Sequence, residues 1–212
     1  MPLFVVIEGA DGSGKTTLAA LLKERFFPHN KVVMFAEPTN ETNESRKIRQ
    51  ILQNHTSLTE DIRLELLQLF YLDRLWDIEG RIRPALQRGQ HVLLDRYFLS
   101  TAAYQARDED EAREILDSYL KDCRMLWPDL VLYLDASLEC LIARLTASRR
   151  GKDLFEQESY LKKVLLHYEK LLPTLPFPVR KINAEQNIQA VYEEALAYLK
   201  PLLNHENSNN PL

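Results

Sequence analysis

The sequence predicts an α/β fold, a five-stranded parallel sheet with helices on both faces. Two observations carry the sheet. Apolar runs of strand length alternate with longer stretches whose apolar residues recur at helical spacing. The first of those runs passes directly into a glycine-rich turn and then into a helical stretch. No linker or internal repeat interrupts the alternation, and 212 residues suit one sizeable core. One domain is therefore expected over residues 1–203, followed by a polar, fraying tail at 204–212.

The elements follow in order. Leu3 to Glu8 reads as a strand and Gly9 to Gly14 as a loop. Lys15 to Phe27 reads as a helix, with Leu18, Leu21, Leu22 and Phe26 on its apolar side. Lys31 to Ala36 is the second strand, broken by Pro38-Thr39-Asn40, and Glu44 to Gln53 is a short helix. Thr59-Glu60-Asp61 starts a long helical region with acidic residues in the first turn. That region runs to Arg88, disturbed near Gly80 and Pro84, and Gly89 stops it. His91 to Leu94 is the third strand, ending at Asp95. Asp108 to Met125 is helical, Leu130 to Leu134 is the fourth strand and Ser137 to Ala147 is helical. A polar break covers Arg149 to Asp153, and Glu156 to Leu172 is helical again. Val179 to Ile182 is the fifth strand and Ala184 to Leu203 the final helix. Parallel strands joined through helices imply right-handed crossovers.

Composition bounds the function. Apolar residues make up 45% and charged residues 27%, ordinary values for a globular protein. With 27 basic and 31 acidic residues the formal charge is −4, which speaks against a broad nucleic-acid-binding face while allowing a local basic pocket. Cys123 and Cys140 fit no metal or redox spacing and are expected to be buried thiols in a reducing compartment. The five histidines form no H-E-x-x-H pair, so no zinc site is expected. Leu3-Phe4-Val5-Val6-Ile7 has no basic flank or cleavage site and is too short to span a membrane, so a cytoplasmic protein is expected.

Gly9-Ala10-Asp11-Gly12-Ser13-Gly14-Lys15-Thr16 matches G-x-x-x-x-G-K-[ST] in full, after a strand and before a helix. This is the phosphate-binding loop, or P-loop, of NTPases. Glycine lets backbone N–H groups turn inward around phosphates, and the helix N-terminus adds its dipole. Lys15 is expected to reach the β- and γ-phosphates of ATP, the Thr16 hydroxyl to bind Mg2+, and Thr17 to border the nucleotide. His91-Val92-Leu93-Leu94-Asp95 is an apolar strand ending in a carboxylate, suited to hold Mg2+ or its water shell. Asp135 ends another strand in the same way and reads as a structural turn residue. The motif alone does not choose among nucleotide-hydrolysing and phosphate-transferring proteins. Neither an N-K-x-D nor an L-S-G-G-Q signature is present.

From Phe4 to about Leu203 the chain resembles the thymidylate kinase family of nucleoside monophosphate kinases. The resemblance rests on the P-loop with Asp11, and on Glu37-Pro38 after the second strand. It continues with Phe70-Tyr71-Leu72-Asp73-Arg74, Asp95-Arg96-Tyr97, Ser100-Thr101-Ala102-Ala103-Tyr104-Gln105 and Pro128-Asp129. Its last part is Arg149-Arg150-Gly151-Lys152-Asp153 before Phe155-Glu156, a lid of about residues 149–155.

The resemblance implies transfer of the γ-phosphate of ATP to dTMP with Mg2+, in a homodimer. It implies that Phe70 stacks on the thymine ring and that Arg74, one turn on, bonds an exocyclic oxygen. Read without it, Phe70 beside Leu66, Leu67 and Leu69 is a core aromatic. It also implies that Arg96 grips the acceptor phosphate. Ser100, Thr101 and Gln105 would border the base, Asp11 would lie near the 3′-hydroxyl, and Tyr104 would form a wall against the 2′ position on a short helix. Glu37 and Pro38, with a cis peptide between them, would border the acceptor phosphate, and residues 183–187 would lie near adenine.

Two departures stand out: Ala36 and Thr39 replace the Arg and Gly that often flank Glu-Pro in bacterial members. Position 12 is Gly where one branch has a catalytic Arg, which points to Arg149, Arg150 or Lys152 as the source of that charge. Two alternatives remain at this point: a deoxynucleoside kinase whose Glu37 acts as base on a 5′-hydroxyl, and a non-catalytic nucleotide-binding module.

Overall fold

The computed structural model describes residues 1–26, 31–54, 59–147 and 158–207. The expectations for Arg149, Arg150, Lys152 and the lid lie outside the described residues. Five short apolar runs form strands: β1 (Phe4–Glu8), β2 (Val32–Ala36), β3 (His91–Asp95), β4 (Leu130–Asp135) and β5 (Val179–Asn183). They make one parallel sheet in the order β2-β3-β1-β4-β5. Period-2 alternation splits β1 between two cores. Phe4 and Val6 pack with Tyr97 and Phe98 on one face, while Val5 and Ile7 pack with Leu18 and Leu22 on the other. Every β1 residue is buried, as expected of a central parallel strand covered on both sides.

The helices are α1 (Lys15–Arg25), α2 (Asn43–Asn54), α3 (Glu60–Asp77), α4 (Arg83–Gln87), α5 (Phe98–Gln105), α6 (Glu109–Lys121), α7 (Leu138–Ala147), α8 (Glu158–Leu171) and α9 (Ile188–Asn207). The disturbance expected near Gly80 and Pro84 is a π-helical turn over Ile78–Ile82 that joins α3 to α4. Pro84 has no N–H to give to the carbonyl four residues back, and its ring crowds that carbonyl. The backbone widens, and Arg83 N bonds Ile78 O instead. Gly89 ends α4 with φ 75°.

Three expectations are corrected. Helix α6 stops at Lys121 rather than Met125, because the Asp122 side chain accepts from Arg124 N at 3.0 Å and from Tyr71 Oη at 2.7 Å, turning the chain. That turn carries Cys123 into solvent, and Cys140 is only partly covered, so neither is a buried thiol. Helix α9 starts four residues late, where Asn187 Oδ1 caps Ala190 N at 3.0 Å. It then runs through the start of the expected tail to Asn207.

β1 lies between β3 and β4, so successive crossovers leave it in opposite directions. The crevice at the carboxyl end of such a switch point is where parallel α/β sheets bind ligands. The glycine-rich loop follows β1 there, and Asp95, Arg96 and Glu37 stand at the ends of β3 and β2.

Candidate active site

The loop after β1 is shaped by three glycines at positive φ, Gly9 (146°), Gly12 (84°) and Gly14 (99°). At Gly9 the reason is also space, since a Cβ would lie 2.8 Å from Leu134 O. Lys15 is buried, and its Nζ curls back to donate to Ala10 O at 2.8 Å. Burial, with the positive Arg96 adding to it, pushes the Lys15 ammonium down to about 8, against the pull of Asp11, Asp95 and Glu8. Thr16 Oγ1 donates to Asp95 Oδ2 at 2.6 Å, while Asp95 Oδ1 is buried with no protein partner. Around this loop opens a cleft of about 490 Å3, floored by residues 11–17 and walled by Arg144, Leu145, Ala184 and Gln186. Arg144 ties the two sides together, donating to Gly12 O at 3.4 Å and to Ala184 O at 2.7 Å.

A second cleft, of about 170 Å3, lies on the other side of Asp11 and Arg96. Helix α3 supplies Phe70 and Arg74 to it, β2 leads into Glu37 and Pro38, and α5 presents Ser100, Thr101, Tyr104 and Gln105. Phe70 is half-buried at the cleft wall rather than sunk in the core. Arg74 is buried and fixed. Its Nε and Nη2 donate to Glu37 Oε2 at 2.8 and 2.6 Å, Nη2 also reaches Thr101 Oγ1 at 3.0 Å, and the Tyr97 and Tyr119 rings lie 5.2 and 4.8 Å from its guanidinium carbon. Its Nη1 has no partner, nor has Glu37 Oε1 or Gln105 Oε1. Three buried polar atoms left open in one cleft match a polar planar ligand. Burial pushes the Glu37 carboxyl up to about 8, only partly opposed by Arg74, with Asp77 and Asp73 adding to the rise.

The Glu37–Pro38 peptide is cis, as expected. The departure at Thr39 has a physical account. Asp73 accepts from Thr39 N and Thr39 Oγ1, both at 2.7 Å, and from Thr42 Oγ1 at 2.5 Å. Arg49 caps the other side of the loop, donating to the carbonyls of Pro38 and Thr39. The Thr39 hydroxyl thus adds a second anchor to α3, where glycine would keep only the backbone N–H bond to Asp73.

Asp11 and Arg96 border both clefts and form an ion pair between them. Tyr104 Oη donates to Asp11 Oδ2 at 3.1 Å and accepts from Asp11 N at 2.9 Å. Among the described residues Arg96 is the only non-glycine at positive φ, 71°. That conformation costs an ordinary residue about 1–2 kcal/mol, so its surroundings must enforce it. Its N–H is held by Ile7 O at 3.0 Å. The next residue leads into α5, whose first turn is capped by the buried Glu8 rather than by a side chain of its own. Ser100 was expected at the base edge; it lines the cleft, but its hydroxyl donates to Glu8 Oε2 at 2.5 Å.

The far end of α5 is equally occupied. Its last carbonyls, which have no partners within the helix, each meet a side chain from elsewhere. His167 Nδ1 lies 2.8 Å from Ala103 O, Tyr160 Oη donates to Tyr104 O, Arg63 Nη1 reaches Gln105 O at 3.2 Å, and Lys163 Nζ reaches Ala106 O at 2.8 Å.

Of the expected site residues that it describes, the structure sets all around the two clefts except Gly9 and Ala10, and of residues 183–187 it places Ala184 and Gln186 there. Sequence reasoning missed Glu8, Asp73, Arg49, Tyr97, Arg144 and Leu52, which lines the second cleft. Of these Asp73 and Tyr97 gave a signal, as the neighbours of Arg74 and Arg96 in Phe70-Tyr71-Leu72-Asp73-Arg74 and Asp95-Arg96-Tyr97.

A phosphate-binding loop at a sheet switch point, beside a second polar cleft that shares two charged residues with it, defines a P-loop phosphotransferase of the two-substrate kind. The family model for thymidylate kinase matches residues 7–195. The chain is 37% identical over 197 residues to a thymidylate kinase of Leptospira interrogans, covering 92% of each chain. It is 34% identical to one of Buchnera aphidicola, over 96% of this chain and 97% of that one, and 32% identical to one of Clostridium novyi, over 93% and 98%. The chain belongs to the thymidylate kinase family.

Proposed function

We propose that this protein phosphorylates dTMP to dTDP at the expense of ATP. The observation that carries the reading is the pair of clefts joined at Asp11 and Arg96. One has the apparatus for a polyphosphate, the other a flat apolar wall at Phe70 with a fixed polar edge at Arg74. Donor and acceptor laid in them would meet at Arg96, whose planar fork suits the acceptor phosphate. A loose phosphoryl-transfer transition state needs alignment and positive charge rather than covalent help, and Lys15 and Arg96 supply both from fixed positions.

In the acceptor cleft, Phe70 stacks on thymine, Arg74 Nη1 gives its unused hydrogen bond to an exocyclic oxygen, and Thr101 and Gln105 complete the edge. Tyr104 closes the space beside the 2′ carbon, and Asp11 faces the 3′-hydroxyl. Glu37 and Pro38 hold the near wall.

The donor set fits Mg2+. Asp95 Oδ1 is buried and unpartnered, and the Thr16 hydroxyl adjoins the same carboxylate. Thr16 and Asp95 would hold the ion directly or through water, and when bound it neutralises charge developing on the phosphate oxygens.

We also infer a homodimer in the cytoplasm. Leu64, Leu72 and Trp76 stand exposed along one side of α3, an apolar face suited to a second copy. Both cysteines are free, which suits a reducing compartment. Among the described residues no helix is long and apolar enough to cross a membrane.

The test is ADP release with ATP and each common nucleoside monophosphate, with thymidine alongside. Fastest turnover on dTMP supports the reading. Turnover on thymidine alone would replace it with a nucleoside kinase, and tight nucleotide binding without turnover would reduce the protein to a binding module.

A further inference from the structure

Arg96 is aimed by its backbone, and no covalent feature makes a left-handed arginine stable. Its own N–H bond to Ile7 O fixes one side. The other side depends on a carboxylate that the reaction does not use. Glu8, the last residue of β1, is completely buried beneath α5. Its Oε1 accepts from the backbone N–H of Tyr97 at 2.9 Å and of Ser100 at 3.2 Å. Its Oε2 accepts from Ser100 Oγ at 2.5 Å and from Tyr168 Oη at 3.0 Å. Four donors on one carboxylate is full satisfaction, and two of them are N–H groups at the start of a helix, where negative charge is favoured. Tyr97, at the helix start, has a backbone in the extended region and no side-chain cap of its own, so Glu8 does the work of a capping residue from a different strand. Arg96 is the single residue between the Glu8-held Tyr97 and β3, and Ser100 Oγ is also 3.3 Å from Arg96 Nη1. The same carboxylate therefore holds the peptide after Arg96 and the hydroxyl that touches its guanidinium.

We propose that Glu8 is the positioning residue of Arg96, pinning residues 97–100 so that the guanidinium stays at the seam between the two clefts. Tyr168, from α8, is the outer member of the same network: its hydroxyl also lies 2.9 Å from Ser100 Oγ. A buried charge is costly unless every lone pair is met. A glutamine in this place would be simpler for folding alone, since the two hydroxyls can rotate to donate or accept. The charge earns its place by the strength of charge-assisted bonds on a backbone that would otherwise relax toward ordinary φ.

The proposal rests on the reading that Arg96 grips the acceptor phosphate, and the experiment separates the two. Glu8→Gln keeps shape and removes charge; Tyr168→Phe removes one donor and is the milder variant, informative if Glu8→Gln does not fold. For each, the dissociation constants of dTMP and of thymidine and the steady-state constants are measured, in the wild-type and Arg96→Lys backgrounds. Glu8→Gln is expected to lower kcat/KM for dTMP about tenfold to a hundredfold, as small misplacements of a charge do. Its affinity for dTMP falls while that for thymidine, which has no phosphate, and the KM for ATP hold. In the Arg96→Lys background the same replacement costs little, because coupled residues are not additive. Tyr168→Phe shows the same pattern at smaller size. Equal losses for dTMP and thymidine, or full additivity with Arg96→Lys, would make Glu8 a structural residue and overturn the proposal. If Arg96→Lys itself left the preference for dTMP over thymidine unchanged, the acceptor-phosphate reading would fall, and the proposal with it.

Discussion

Raising the pH should weaken ATP binding through Lys15. The free protein holds its ammonium at about 8, lowered chiefly by burial. Bound phosphates place strong negative charge beside it and hold it protonated, so binding above pH 8 must take up a proton. The affinity for ATP should then be nearly level below pH 7 and fall about tenfold per unit above pH 8, which puts pH 9 about tenfold below pH 7. Calorimetric titration with ATP at pH 7, 8 and 9, in two buffers of different ionisation enthalpy, reads both affinity and proton uptake. Lys15→Met should bind weakly with no such dependence and lose at least two to three orders of magnitude in turnover, the usual cost of one transition-state charge contact. The sign for stability is opposite. The folded pKa lies below the unfolded 10.5, so the unfolded chain binds more protons between about pH 8 and 10.5 and stability rises with pH across that window. At pH 7 the buried charge is a burden of at most about 3 kcal/mol, and Lys15→Met should melt later than the wild type. Affinity that stays flat to pH 9 without proton uptake, or a Lys15→Met protein that keeps the slope, would refute this account.

Other expectations follow from the same geometry. Asp73→Asn should raise the KM for dTMP several-fold and leave that for ATP unchanged, because it releases the Thr39–Thr42 loop at the acceptor cleft only; steady-state kinetics decide it. Tyr104→Ala should lower kcat/KM for dTMP and shrink the gap between dTMP and its ribose analogue, and an unchanged ratio would reduce Tyr104 to packing. Gly9→Ala puts a methyl within 2.8 Å of Leu134 O at a backbone angle of 146°, and denaturant unfolding should show a loss of about 2 kcal/mol or more.

How far the sequence could be read depended on how local each feature is. The loop from Gly9 to Thr16 is contiguous, and Asp95-Arg96 are adjacent at a strand end, so both were legible with their partners' positions. The helical region after Thr59 was legible as disturbed, but not the π-turn that results, since periodicity shows where a ladder is strained and not how it reroutes. Asp122 was hidden because it stops α6 through Tyr71, 51 residues away, and the misread exposure of Cys123 follows from that. Glu8 was invisible for the strongest version of the same reason. It sits in an apolar strand as though it were an end residue, and the partners that explain its burial are 89 to 160 positions off. The departure at Thr39 was visible and its meaning was not, because Asp73 comes from another helix.

The handling of α5 has a consequence for how the protein comes to be. At eight residues it is too short to persist alone in water. Its start is held from β1, and its end from α3 and α8. The wall of the acceptor cleft thus has no autonomous existence: it becomes a helix only when segments from both ends of the chain have arrived. On the ribosome, a nascent chain that has not yet released α8 has no finished pocket for its second substrate, and its phosphate cleft is still open as well, because Ala184 and Gln186 of that cleft's wall emerge later again. Both clefts would therefore be completed by the last segments to emerge, so an unfinished chain is spared an ATP site without its acceptor site beside it.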